Sequence, residues 1–78
     1  MSNLEKYNSV FITNFKVEEN QLNNLRYQDP PAWDSVGHMG LIAALEETFD
    51  VMIDTDDIID FSSYVRGKEI LKKYNVEI

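Results

Sequence analysis

The stretch from Ser35 to Phe49 places apolar side chains on two opposite faces of one predicted helix. At about 100° per residue, one face carries His38, Leu41, Ile42, Leu45 and Phe49, and the other carries Val36, Met39 and Ala43. A chain of 78 residues has few other elements that could cover both faces. We therefore expect the first face to lie in the core and the second to stay exposed, available to something outside the chain.

Three further helices are predicted from apolar spacing and capping residues. They cover about Asn3 to Phe15, about Asp56 to Asp60 and about Tyr64 to Tyr74. The candidate N-caps are Ser2 or Asn3 for the first, Asp54 or Thr55 for the second and the pair Ser62-Ser63 for the last. No stretch shows the alternation of apolar and polar residues that is typical of a strand.

Residues 16–33 show no sustained period and are predicted as a long loop. Pro30-Pro31 exclude a helix through it, although one short turn around Gln21 to Leu25 is compatible with the sequence. The residues expected to pack together in the core are Leu22, Leu25, Tyr27 and Trp33 from this loop, with Leu4, Phe11, Phe15, Phe61 and Leu71. The predicted fold is therefore all-α, a small four-helix bundle with a long first loop and a short third helix, in one domain over residues 1–78.

Charge and composition exclude several classes of function. Fourteen acidic against seven basic residues give a net charge of −7, which repels nucleic acid and complements a basic protein surface. The absence of cysteine removes disulfides, thiolate metal ligands and sulfur nucleophiles. The sequence shows neither a secretory signal nor an apolar run of about 20 residues. We expect a cytoplasmic monomer that does not insert into membranes.

Two patterns that resemble catalytic or metal sites fail on closer inspection. Ser35 and His38 lie one helical turn apart, but no oxyanion-donor motif accompanies them, so a histidine hydrogen-bonded at the edge of the core is the preferred interpretation. Counted from Asp54, the aspartates that follow it do not fit a calcium loop, because Ile58 and Ile59 occupy the fifth and sixth positions. A solvated acidic face explains these aspartates better.

Ser35 is the one residue whose predicted position suggests a modification site. It follows Pro30-Pro31 and Asp34 at the start of the two-faced helix, where free amides and the helix dipole favour a phosphate group. An ordinary helix cap explains the same serine at least as well. The sequence around Ser35 leaves both interpretations open.

Two longer motifs add a family resemblance. Residues 33–39, Trp-Asp-Ser-Val-Gly-His-Met, are followed by residues 45–50, Leu-Glu-Glu-Thr-Phe-Asp, and then by an acidic short helix and Phe61-Ser62-Ser63. From Trp33 to Tyr74, and more loosely over the first helix, the chain resembles the acyl carrier protein family. The resemblance implies that Ser35, beside Asp34, carries 4′-phosphopantetheine transferred from coenzyme A by a phosphopantetheinyl transferase.

The resemblance also implies a shuttle without an active site of its own. Acyl groups would travel as thioesters on the arm, and loading or transferring enzymes with basic docking surfaces would be the partners. Val36 and Met39 on the spare apolar face, with Glu47 and Asp56 as steering charges, are the residues expected to recognise these partners. His38 could line an acyl cavity, although a packed, hydrogen-bonded histidine is favoured.

Departures from the family pattern suggest a specialised pathway. Carriers of bulk fatty-acid synthesis usually have acidic residues where Gly37 and Gly40 stand, and Trp33 is more typical of carriers in dedicated pathways. Two alternatives remain open. One is an aminoacyl or peptidyl carrier that uses the same serine, and the other is an unmodified helical module that binds a partner helix through Val36 and Met39.

Overall fold

The computed structural model describes residues 2–78, and these form an all-helical chain without a strand. Helix α1 spans Asn3–Phe15, α2 spans Ser35–Phe49, α3 spans Thr55–Asp60 and α4 spans Tyr64–Lys72. A 3₁₀ helix, Glu19–Asn24, interrupts the long connection between α1 and α2. The prediction of an all-α chain with a long first loop and a short third helix is confirmed.

The two long helices begin and end at the predicted residues because their caps are strong. At α1, the Glu5 amide donates to Ser2 Oγ and the Ser2 amide donates to Glu5 Oε1, both over 3.1 Å. At α2, the Gly37 amide donates to Asp34 Oδ1 over 2.8 Å. The N-cap fixes each start, and left-handed residues, Lys16 and Asp50, end the helices.

The boundaries of the two shorter helices differ from the prediction. Helix α3 starts at Thr55, one residue early, and Asp54 occupies the N-cap position without a side-chain cap. Helix α4 ends at Lys72 and not at Tyr74, because the Tyr74 amide donates to the Leu71 carbonyl over 3.0 Å and the chain tightens into 3₁₀-type bonds. Ser63 caps α4 as expected, accepting from the Arg66 amide over 3.0 Å.

One continuous hydrophobic core joins the helices, and α3 reaches it only through the half-buried side chain of Ile58. The core residues are Tyr7, Val10, Phe11, Phe15, Leu22, Leu25, Trp33, Leu41, Ile42, Leu45, Ile53, Phe61, Tyr64, Ile70, Leu71 and Val76. Two predicted members lie outside it, since Leu4 is 40% and Tyr27 is 38% exposed. Leu4 lies in the first turn of α1, and Tyr27 lines a surface cavity.

Backbone hydrogen bonds attach the long connection to the start of α4. The Tyr64 amide donates to the Leu25 carbonyl over 3.0 Å, and the Tyr27 amide donates to the Ser62 carbonyl over 2.8 Å. Leu22, Leu25 and Trp33 are buried, as predicted. These contacts hold the connection to one side of α2, where it packs against Gly37 and leaves Ser35 exposed.

Gly67 allows α4 to approach the rest of the core closely. A Cβ atom at this position would lie 2.2 Å from both Phe61 Cζ and the Tyr7 hydroxyl oxygen, nearer than side chains tolerate. Close packing is therefore the reason for a glycine inside this helix. Among residues 2–78, no helix is long and apolar enough to span a membrane.

Candidate functional site

Ser35 is the first residue of α2, and its side chain is exposed. Asp34 precedes Ser35 as the N-cap, and the carboxylate of Asp34 accepts a hydrogen bond from the Gly37 amide. The backbone carbonyl of Asp34 accepts a second hydrogen bond, from the His38 amide, over 2.7 Å. Asp34 therefore fixes the start of the helix and, with it, the position at which the Ser35 hydroxyl is presented.

The first turn of α2 keeps amide donors available beside Ser35. The first four amides of an α-helix have no partner within the helix. Gly37 and His38 donate to Asp34, whereas the amides of Ser35 and Val36 have no acceptor within residues 2–78. The Asp34 carboxylate already caps this end of the helix through Gly37, and the amides of Ser35 and Val36 are the donors left for a second anion.

An apolar patch lies next to the Ser35 hydroxyl. It consists of Val36, Met39 and Ile59, which are 81%, 56% and 76% exposed. Val36 and Met39 were predicted to be exposed, and this is confirmed, together with the exposure of Ala43. Ile59 was not foreseen, because periodicity cannot assign a face to a helix as short as α3.

A cavity of about 380 Å³ opens beside Ser35, between α2, α3 and the segment that joins α3 to α4. Its lining residues are Tyr27, Ser35, His38, Met39, Ile58, Ile59, Phe61 and Ser62. The sequence identified only three of these as candidates for this region: Ser35, Met39 and His38. The others come from separate segments that only the fold brings together. The adjacent isoleucines of α3 were the one available signal for an additional apolar surface.

His38 is packed and hydrogen-bonded, and it also lines the cavity. Trp33 Nε1 donates to His38 Nδ1 over 2.9 Å, and His38 Nε2 lies 2.7 Å from the Ile58 carbonyl oxygen. An indole N–H can only donate, so Nδ1 is the acceptor and Nε2 carries the proton. Because both ring nitrogens have partners, neither is available as a base for Ser35. His38 is therefore a hydrogen-bonded residue at the edge of the core, and its ring also forms part of the cavity wall.

The carboxylates around the site fall into two groups. Three of them hold the chain together: Glu46 Oε2 accepts from the Ile53 amide over 2.9 Å, Asp57 pairs with Lys73, and Asp60 pairs with Arg66. The hydrogen bond from Lys73, with a second from Tyr74, holds the pKa of the Asp57 carboxyl below its usual range.

Glu47 and Asp56 form the second group. Both are exposed, and neither makes an ion pair with another residue of the described chain. They are therefore the carboxylates on α2 and α3 that remain available to a partner. Within residues 2–78, no three side chains of histidine, cysteine, aspartate or glutamate are placed to hold a metal ion.

Comparisons with known proteins do not assign the chain to a family. Models of protein families, curated proteins and solved structures were each compared with the chain, and none matched. The function is therefore inferred from Ser35 and its surroundings.

Proposed function

We propose that this chain is a carrier protein of the acyl carrier type, which bears 4′-phosphopantetheine on Ser35 and presents acyl groups to a few partner enzymes. The four α-helices and the long first connection are compatible with the four-helix topology of that family. In this proposal the chain has no active site of its own. Its function is to transport a group and to offer it to enzymes of a dedicated pathway.

The observation that carries the proposal is the exposed hydroxyl of Ser35 at the start of a 15-residue helix. The connection that contains Pro30-Pro31 leaves this hydroxyl uncovered. Val36 and Met39 extend from the same turn into solvent and, with Ile59, form an exposed apolar surface beside the serine. A transferase could therefore reach Ser35 and contact the exposed side chains of Val36 and Met39 beside it.

The first turn of α2 fits a phosphodiester. When the Ser35 oxygen attacks the pantetheine phosphorus of coenzyme A, the new P–O bond replaces the phosphoanhydride bond to the nucleotide, which leaves. The product stays anionic, and the amides of Ser35 and Val36 with the helix dipole stabilise an anion there. The arm would supply the thiol for thioester chemistry to a chain that has no cysteine.

Charge and apolar surface together support docking to basic enzymes. Glu47 and Asp56 are exposed without ion-pair partners among the described residues, while Val36, Met39 and Ile59 provide apolar contact. Opposite charge accelerates encounter, and a small apolar contact allows rapid release. A carrier that visits several enzymes in turn needs both properties.

The experiment that tests the proposal is modification by coenzyme A. The chain is incubated with coenzyme A and a promiscuous phosphopantetheinyl transferase, and its intact mass is measured. We expect the mass of one phosphopantetheinyl group on the native chain and none on Ser35→Ala. Ser62→Ala is the matched control, because Ser62 is exposed and lines the same cavity, and it should be modified normally.

The alternatives give different outcomes. A native chain that gains no mass would favour the unmodified module, in which Val36 and Met39 bind a partner helix directly. A Ser35→Ala variant that still gains the arm would move the attachment site elsewhere. Loading assays with purified adenylating enzymes would then distinguish acyl from aminoacyl or peptidyl cargo.

A further inference from the structure

Helices α2 and α3 each carry part of the apolar patch beside Ser35. Val36 and Met39 belong to α2 and Ile59 to α3, and all three side chains are more than half exposed. Met39 and Ile59 line the same cavity. A partner that contacts the patch therefore meets two helices at once, and the contacts that hold α3 in place relative to α2 determine the shape of this surface.

Most of the side-chain hydrogen bonds to α3 come from α4 and the residues directly after it. Lys73 and Tyr74 donate to the Asp57 carboxylate over 2.6 and 2.5 Å. Arg66 pairs with Asp60 near the other end of α3. These bonds tie α3 to the side of the chain that α4 forms, and none of them involves α2.

His38 makes the one hydrogen bond that joins α2 to α3 within residues 2–78. Its Nε2 donates to the Ile58 carbonyl over 2.7 Å. This carbonyl belongs to the last turn of α3, where carbonyls lack α-helical partners. The Phe61 amide also donates to it, but over 3.4 Å, so that the ring N–H makes the shorter bond. His38 therefore caps the end of α3 from α2.

Trp33 holds the His38 ring in this orientation. The Trp33 side chain is fully buried, stacks on Phe15 with ring centroids 5.2 Å apart, and donates its indole N–H to His38 Nδ1 over 2.9 Å. Turning the His38 ring away from α3 would leave the buried indole N–H without its acceptor, which opposes the turn. The end of α3 is in this way tied to the core through a single ring.

We infer that His38 is a positioning residue for partner docking, because its hydrogen bond to α3 holds Ile59 in register with the exposed side chains of α2. A phosphopantetheinyl transferase then meets one continuous apolar surface. The inference rests on the proposed function, in which that transferase is a partner. His38 acts through α3 and takes no part in the reaction at Ser35, whose position at the helix start is fixed separately by the Asp34 cap.

The first measurement needs neither transferase nor coenzyme A. In ¹⁵N NMR of the native chain, the neutral His38 ring should carry its proton on Nε2 and none on Nδ1. In His38→Ala, the amides of α3 should exchange with solvent about 2- to 10-fold faster, the effect of one lost hydrogen bond, while those of α2 beyond its first turn keep their rates. A native ring that is protonated on Nδ1 instead would overturn the inference.

Transfer kinetics measure the consequence for docking. With a promiscuous phosphopantetheinyl transferase and the chain as the varied substrate, His38→Ala should raise KM by about 2- to 10-fold and leave kcat close to native, because fewer molecules hold the surface in its docking arrangement. His38→Gln is the matched control. A glutamine amide can accept from Trp33 and donate to Ile58, so that KM should stay close to native.

A double-mutant cycle shows whether His38 acts through α3. Ile59→Ala should itself raise KM, and adding His38→Ala to it should have little further effect, since α3 no longer supplies the contact. Adding His38→Ala to Val36→Ala should keep its full effect. Equal effects of His38→Ala in both backgrounds would overturn the inference. So would an unchanged KM in Ile59→Ala, which decides the question even if His38→Ala does not fold.

Failure of this inference and failure of the proposed function give different results. A native chain that is modified normally, with the same KM in His38→Ala although its α3 amides exchange faster, would overturn the positioning role and leave carrier function in place. A native chain that gains no mass would overturn both.

Discussion

Lys73 donates to Asp57 Oδ1 over 2.6 Å and thereby ties α3 to the end of α4. Tyr74 donates to the other carboxylate oxygen, and Arg66 pairs with Asp60 at the far end of α3. Helix α3 packs against the core only through half-buried Ile58, and these polar contacts add to what holds it in place. Since α3 forms one wall of the cavity, the shape of the site depends on these ion pairs.

The Asp57 contact predicts an acid-sensitive stability. The hydrogen bonds from Lys73 and Tyr74 lower the pKa of Asp57 in the folded chain, whereas the unfolded value stays at about 4. The stabilisation is therefore present above pH 4 and lost as the pH falls through the folded-state pKa. In urea unfolding between neutral pH and about pH 3, Asp57→Asn should lose less stability than the native chain. Lys73→Gln should lose an amount of stability between those of the native chain and Asp57→Asn, because the hydrogen bond from Tyr74 to Asp57 remains. Equal losses in the native chain and both variants would show that Asp57 is not the group responsible.

Tyr7 predicts a loss of stability in alkali. Burial raises the pKa of its phenol, and its hydroxyl donates to the Tyr64 carbonyl over 2.6 Å. Above about pH 10 the unfolded chain ionises this tyrosine and the folded chain resists, so that stability falls as the pH rises. Tyr7→Phe should lose about 1 kcal/mol at neutral pH and show a shallower alkaline decline.

Exposed Tyr27 offers the control for Tyr7. Tyr27→Phe should leave both the neutral stability and the alkaline decline close to those of the native chain. Chemical unfolding monitored by circular dichroism at several pH values gives both quantities. An unchanged alkaline slope in Tyr7→Phe would show that Tyr7 is not the group responsible.

Opposite effects are expected from alanine at two helical glycines. At Gly67 a Cβ atom would collide with Phe61 and Tyr7, and Gly67→Ala should destabilise the chain by about 1–3 kcal/mol. At Gly40 the nearest atom would be Asn14 Oδ1 at 3.7 Å, an ordinary contact, and Gly40→Ala should stabilise by about 0.5–1 kcal/mol. Thermal unfolding measures both, and a Gly67→Ala variant that is more stable than the native chain would contradict the close packing of α4 against Phe61 and Tyr7.

Acidic steering predicts that modification depends on salt. The rate of phosphopantetheine transfer should fall as ionic strength rises, and Glu47→Lys should slow it at low salt. Glu19→Lys is matched in charge and lies on the 3₁₀ helix, which packs against α1 and α4, so that it should have a smaller effect. If the rate changes neither with salt nor in either variant, acidic steering is wrong, and the proposed attachment at Ser35 is unaffected by that result.

The sequence predicted the helices whose signals are local. Helices α1 and α2 combine sustained periodicity with strong caps at Ser2 and Asp34, and their boundaries were predicted correctly. Helix α4 was predicted two residues too long. The carbonyls of its last turn accept 3₁₀-type hydrogen bonds, and the amino-acid sequence there does not distinguish these from α-helical ones. The placement of Ser35 followed from the cap and the helix start alone.

What the sequence did not predict depends on contacts between distant segments. Tyr27 was assigned to the core from its apolar character. Its backbone amide is instead hydrogen-bonded to the Ser62 carbonyl, and its ring borders the cavity. The link from Trp33 through His38 to Ile58 joins three parts of the chain. Periodicity describes one helix at a time, and so it could identify the exposed stripe on α2 but not the cavity beside it.

Gly37 packs against the connection that precedes α2, and this restricts how the protein could be redesigned. A Cβ atom there would lie 2.1 Å from the Ala32 carbonyl oxygen and 3.3 Å from Phe15 Cε1. An acidic residue grafted at position 37 would push the connection away and disturb Trp33 with it. If the proposed carrier function holds, a redesign for other partner enzymes would therefore have to rebuild residues 30–34 together with the start of α2.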